Sequence, residues 1–155
     1  MLVQYRLNGE SIEEDIKPNM TLLDALRDKV KLASVKKGCD EGECGTCTVL
    51  LNGKPVRACL LLAVQVGGAE ITTIEGLAQR GELSKIQEAF LEKYGFQCGF
   101  CTPGMVLTAK ALLDENPDPV VEDIKSAFEG NLCRCTGYEQ IIESVLRAAE
   151  LTKRK

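Results

Sequence analysis

Eight cysteines fall into two groups of four along this chain of 155 residues. Cys39, Cys44 and Cys47 follow a C-x4-C-x2-C spacing, and Cys59 comes after eleven intervening residues. Cys98 and Cys101 are separated by two residues, and Cys133 and Cys135 by one. The first spacing is that of plant-type [2Fe-2S] ligation, in which a tight loop supplies three thiolates and a distant residue the fourth. A two-iron cluster is compact, so most of its ligands must come from one loop. Gly38, Gly42 and Gly45 let that loop curl and bring backbone N–H groups toward the sulfurs. The fourth ligand, Cys59, is expected on a neighbouring strand.

The second quartet is less specific by spacing, because two close cysteine pairs also suit a structural zinc site with four thiolates. Placement favours a redox cluster. Cys98 and Cys101 lie just before an expected helix start at Pro103, and Cys133 and Cys135 just before another at Gly137. Two helix N-termini would then direct orphan N–H groups and partial positive charge at the site. A [2Fe-2S] core with four thiolates carries about −2 when oxidised and gains about one more negative charge on reduction. Positive ends nearby favour the reduced state. Arg134, between two of the cysteines, is either a further contribution of that kind or a plain surface side chain.

The composition narrows the chemistry. The chain has no histidine, which excludes Ser-His and Cys-His nucleophile pairs, Cys/His zinc fingers and Rieske ligation. Nineteen basic against twenty-three acidic residues give a net charge of −4, which argues against a basic nucleic-acid footprint. The first six residues lack the pattern of a signal peptide, and the longest apolar run, Ala58 to Val64, is far short of the roughly 18 residues that span a bilayer. A cytoplasmic protein with reduced thiols is expected, and in that setting clustered cysteines bind metal more often than they form disulfides.

The elements that must hold these cysteines change character midway. Leu2 to Leu7 alternates apolar and polar residues, Asn8-Gly9 signals a tight hairpin, and a partner strand is expected over about Ser11 to Ile16. Thr21 can cap a helix with an apolar face of Leu22, Leu23, Leu26 and Val30. After the cysteine loop, a second hairpin joins Thr48–Leu51 to Lys54–Cys59 through Asn52-Gly53, and one more strand covers Glu70 to Ile74. Gly76 to Glu82 reads as a connector. Beyond it four helices are expected: Ser84 to Tyr94 with a capping box and closed by Gly95, Thr102-Pro103 through Leu113, about Val121 to Glu129, and one opened by a Thr136-x-x-Glu139 box. The last presents Ile141, Ile142, Val145, Leu146 and Ala149. Strands around one helix, followed by four helices, make the fold class α+β. The segment Cys59 to Val66 packs internally or against a partner, and Lys153-Arg154-Lys155 reads as a solvated terminus.

Three segments, Gly38 to Val49, Gln97 to Met105 and Gly130 to Tyr138, resemble the iron–sulfur subunit of the molybdenum hydroxylases, the xanthine dehydrogenase/aldehyde oxidase family. The resemblance spans essentially the whole chain, with both cysteine quartets in order; just before the first loop, Ala33-Ser34-Val35-Lys36 replaces the family's usual Thr-Gly-Thr-Lys type of run, a packing variation that touches no ligand. It implies a β-grasp plant-type ferredoxin domain over residues 1–76 and a C-terminal four-helix bundle domain over 77–155. It further implies two [2Fe-2S] clusters, one on Cys39, Cys44, Cys47 and Cys59 and one on Cys98, Cys101, Cys133 and Cys135. By resemblance the second lies near a molybdopterin held by a large partner subunit, with Gln97 and Cys135 contacting the pterin. Taken alone, Gln97 is an ordinary polar loop residue. The first cluster faces FAD on a medium subunit. The family role is electron transfer from molybdenum through both clusters to FAD or another acceptor, with no catalytic residue on this chain. Family prevalence points to a purine or other N-heterocycle as substrate, with aldehydes, carbon monoxide and aromatic acyl-CoA thioesters as the alternatives. A free-standing two-cluster ferredoxin and a zinc-binding interaction module remain the alternatives.

Overall fold

The structure, a computed structural model, describes residues 1–153. The reading of the last two residues of the basic C-terminus as solvated falls outside them.

The alternating pattern at the N-terminus builds strand β1 (Leu2–Leu7), whose Val3, Tyr5 and Leu7 are buried while the residues between them are exposed. It pairs antiparallel with β2 (Glu10–Asp15), with Leu2 opposite Asp15 and Leu7 opposite Glu10. β3 (Thr48–Leu51) and β4 (Lys54–Arg57) form the second hairpin. Both two-residue turns use left-handed backbone, with φ of 53° and 86° at Asn8 and Gly9 and 49° and 81° at Asn52 and Gly53. Such turns match the right-handed twist of the flanking strands, and asparagine and glycine adopt them at least cost. β5 (Glu70–Thr72) joins the hairpins, parallel to β1 and antiparallel to β3, giving the order β2-β1-β5-β3-β4.

Helix α1 begins at Leu22, where the Thr21 side chain accepts the N–H of Asp24 as expected. Only Leu22–Asp24 is α-helical; Ala25–Lys29 continues as a wider π-turn, which the apolar spacing did not reveal. Leu22, Leu23, Ala25 and Leu26 are buried against Ile16, Val49, Ala63, Val66 and Ile71. Each such aliphatic side chain contributes about 1.5–3 kcal/mol on leaving water.

The second half folds as α2 (Lys85–Glu92), α3 (Thr102–Glu115), α4 (Val121–Ala127) and α5 (Glu139–Lys153). α2 carries the expected capping box, with Ser84 and Gln87 bonded reciprocally. These helices enclose Phe90, Met105, Leu107, Ile124, Phe128, Ile141 and Val145, and Leu50 of β3 belongs to the same core. Val49, the preceding residue, is buried in the other one. Successive side chains of a strand point to opposite faces, so β3 feeds both cores and α3 packs directly against it. The architecture is a mixed sheet with helices, α+β.

Several local expectations are corrected. Cys59 lies not on a strand but in a 3-10 turn, Ala58–Leu60, because β4 ends at Arg57. β5 stops at Thr72, and Ile74–Leu77 forms another such turn. Gly95 does not supply the left-handed residue ending α2; Tyr94 does, at φ 54°. Gly95 instead gives space, since a Cβ there would meet Ser144 and lie 2.8 Å from Phe90 Cδ1. Thr102 is the first residue of α3 rather than its cap, a position held by Cys101. Thr136 does not open α5 with a capping box, because its hydroxyl is engaged elsewhere.

Candidate metal centres

The loop from Gly38 to Cys47 curls through three left-handed residues, Asp40, Gly42 and Gly45, with φ of 61°, 88° and 71°. Curling turns backbone N–H groups inward onto sulfur. Cys44 and Glu41 donate to Cys39 Sγ at 3.3 and 3.5 Å, and Cys39 donates to Cys44 Sγ at 3.4 Å. Lys37 ties the loop to α1 by bridging Asp24 and Asp40, both at 3.0 Å. A Cβ on Gly42 would lie 2.5 Å from Leu60 Cδ1, so glycine lets the turn bearing Cys59 close over the loop. Cys59 lies close to Cys47, the two being the buried members of the quartet.

The structure also brings the other four thiols together. Cys98 and Cys135 Sγ are 3.5 Å apart, and Cys101 lies close to Cys133. Cys101 caps α3, while Cys133 and Cys135 sit in an irregular loop whose ends Tyr138 joins. The Tyr138 hydroxyl accepts the N–H of Cys133 at 2.9 Å and donates to the Asn131 carbonyl at 3.3 Å. Thr136 donates its N–H to Cys133 Sγ at 3.4 Å, and its hydroxyl lies 3.2 Å from the same sulfur. α5 begins four residues after Cys135, so its first turn is not the direct neighbour that the sequence suggested.

The protein environment divides the thiols. The N–H groups of Cys44 and Glu41 lower the pKa of Cys39 to about 7. Burial raises Cys59 to about 11, with Cys47 adding to the effect, and burial raises Cys101 to about 12. Cys98 is lowered, chiefly by the N–H of Phe100. At Cys133 burial opposes ionisation, yet the Thr136 hydroxyl and N–H outweigh it and the pKa is lowered. Each quartet thus mixes thiols whose ionisation the surroundings favour with thiols whose ionisation burial opposes, a penalty that a metal's charge would offset.

Between the quartets lies a buried polar junction that the sequence did not disclose. The Asn131 side chain donates to the Gly45 carbonyl and Thr48 Oγ1, both at 3.3 Å, and accepts from the Thr108 hydroxyl at 3.2 Å. Arg57 reaches the Gly130 carbonyl at 2.5 Å and Thr48 Oγ1 at 3.1 Å. These partners are up to 86 residues apart, beyond any local pattern.

All eight cysteines are free. Among the described residues, no group of three or more Cys, Asp or Glu side chains is gathered as for a single metal ion. The donor set fits [2Fe-2S] groups: thiols only, four in each place, with N–H groups on the sulfurs and glycines where side chains would intrude. Beside Cys101, the buried Thr102 hydroxyl has no protein partner among the described residues. Gln97, Cys98 and Cys135 are exposed. No described helix is long and apolar enough to cross a membrane.

Two family models match the chain, a 2Fe-2S iron-sulfur cluster binding domain at residues 5–71 and a [2Fe-2S] binding domain at 73–146. The chain is 54% identical over 148 residues to the nicotinate dehydrogenase small FeS subunit of Eubacterium barkeri, covering 96% of this chain and 94% of that one. It is 48% identical to a probable xanthine dehydrogenase subunit of Bacillus subtilis (strain 168), covering 93% and 84%. Among solved structures it is similar to quinoline 2-oxidoreductase from Pseudomonas putida 86, with a TM-score of 0.95 and 45% identity over 99% of this chain and 96% of that one.

Proposed function

Because the chain belongs to the iron–sulfur subunits of the xanthine dehydrogenase/aldehyde oxidase family of molybdenum hydroxylases, we propose a specific assignment of roles to its residues and halves. The chain is an electron-transfer subunit of a molybdenum-containing oxidoreductase and works with a large catalytic partner. Both family models describe [2Fe-2S] binding and the matched relatives are dehydrogenase subunits, so the zinc module and the free-standing carrier are set aside.

In this reading Cys39, Cys44, Cys47 and Cys59 hold one cluster, and Cys98, Cys101, Cys133 and Cys135 hold the other. When bound, the two groups supply one-electron carriers between the partner's molybdenum centre and the acceptor. Residues 1–76 form a β-grasp ferredoxin-type domain and residues 77–155 a four-helix domain; the separate buried cores and the junction of the family models near residue 72 support that division. Gln97 and Cys135 meet the partner's molybdopterin, a role supported by their exposure beside Cys98. The first centre faces FAD on a medium subunit, and the exposed Leu60 beside Gly42 supports a docking surface there. Cysteines kept as metal ligands also favour the reducing cytoplasm. The large subunit reads the substrate. The names of the three relatives, nicotinate, xanthine and quinoline, support an N-heterocycle.

The observation that carries the proposal is the gathering of two all-thiol quartets in one chain, joined by a buried polar contact. Purification of the natively expressed protein tests it. We expect a large molybdenum-containing partner to accompany the chain, and substrate to bleach its visible absorption. Elution as a monomer without molybdenum contradicts it.

A further inference from the structure

Two threonine hydroxyls touch the thiol quartets, one in each. Thr46 Oγ1 lies 3.2 Å from Cys44 Sγ, and Thr136 Oγ1 lies 3.2 Å from Cys133 Sγ. Among the described residues these are the only side chains other than cysteine that hydrogen-bond to any of the eight sulfurs. With a free thiol either partner can donate. A metal-bound thiolate has no proton, so the hydroxyl must be the donor.

The surroundings fix both contacts. Thr136 Oγ1 already accepts the N–H of Tyr138 at 3.2 Å, which leaves its proton to point at Cys133. Thr46 is buried and its hydroxyl has no other protein partner among the described residues. Gly38 lies against this pair: an added Cβ would stand 2.7 Å from Thr46 Oγ1 and 2.8 Å from Cys44 Sγ. Its φ is ordinary, so glycine is required there for space. The fold thus keeps the Thr46 contact clear through Gly38 and orients the Thr136 contact through Tyr138.

We propose that Thr46 and Thr136 set the reduction potentials of the two centres separately, each by donating its hydroxyl proton to one ligand sulfur. This rests on the ligand assignment above. Reduction adds one electron to a centre and places more negative charge on its sulfurs, while the hydroxyl proton stays on oxygen. A donated hydrogen bond strengthens as its acceptor becomes more negative, so each threonine stabilises the reduced form and raises the potential. Backbone N–H groups act in the same direction at Cys39, Cys44 and Cys133, but no side-chain substitution removes them.

Redox potentiometry of the intact complex, followed by EPR, tests the proposal. Thr46→Val should move the midpoint of the first centre to lower potential and leave the second unchanged. Thr136→Val should do the reverse, and serine at either position should restore the wild-type midpoint. Thr46→Ala, which adds no bulk, replaces the valine variant if the latter does not assemble. Unchanged midpoints in variants with full iron and both signals would overturn the proposal, as would equal shifts at both centres from one substitution. Cys44→Ser separates the underlying assumption: if it fails to remove one signal, the ligand assignment is wrong rather than the role of the threonines.

Discussion

The N–H of Leu132 donates to the carbonyl oxygen of Cys44 at 2.8 Å. The residue preceding Cys133 is therefore bonded directly to a cysteine of the other quartet. Asn131 and Arg57 reinforce this contact from either side, and Gly104 of α3 closes on it, where an added Cβ would lie 2.7 Å from the Gly45 carbonyl. A chain that carries electrons between two centres needs a fixed spacing between them. A buried, hydrogen-bonded junction provides it, because its bonded groups would be costly to leave unpaired. Of Arg57 the two terminal nitrogens are bonded, while the buried Nε has no protein partner among the described residues.

Substitution of Gly45 should be far more damaging than substitution of an open glycine with the same backbone. A Cβ at Gly45 would overlap the Gly130 carbonyl and lie 2.9 Å from Asn131 Nδ2, whereas at Gly53 it would meet nothing within 4 Å. Both have positive φ, so Gly53→Ala measures backbone strain alone, about 1 kcal/mol. Gly45→Ala should cost about 3 kcal/mol or more in denaturant unfolding of the cluster-loaded protein. Equal losses would mean that the junction has room to yield.

Asn131→Leu should destabilise the protein by about 2–4 kcal/mol, since it removes three buried hydrogen bonds at about 1 kcal/mol each and replaces a planar amide with a branched chain. Thermal unfolding compared with Lys54→Leu on the exposed hairpin provides the check. Similar melting shifts in the two variants would contradict the junction.

These contacts mark where the sequence was legible and where it was not. The tight turns at Asn8-Gly9 and Asn52-Gly53, the Thr21 cap and the Ser84–Gln87 box were readable because each depends on residues within a few positions. The close spacings within Cys39–Cys47, Cys98–Cys101 and Cys133–Cys135 were readable as well, whereas the approach of Cys135 to Cys98, 37 residues earlier, is tertiary. Thr136 misled for a physical reason: the pattern of a helix cap was present, but its hydroxyl had a stronger claim from Cys133 and Tyr138. Asn131 and Arg57 carried no signal because their partners are tertiary. Tyr138 bonds within its own loop, but in an irregular turn that no helix or strand pattern marks, and the position of Cys59 in a 3-10 turn depends on where β4 runs out.

Tyr138→Phe should weaken the second centre selectively. It leaves the N–H of Cys133 and the carbonyl of Asn131 without their shared partner, at a cost of about 1–2 kcal/mol. Iron should leave that centre faster under chelator while the first keeps its EPR signal. Loss at equal rates from both centres would show that the hydroxyl does not act locally.

The most direct test of two separate clusters, each held by its own four cysteines, is iron analysis with EPR of the dithionite-reduced protein in three forms. The native chain should hold about four irons and give two distinct [2Fe-2S] signals. Cys98→Ser should remove one of them and Cys44→Ser the other. Zinc in place of iron, or loss of both signals from either substitution in a still-folded protein, would contradict the account.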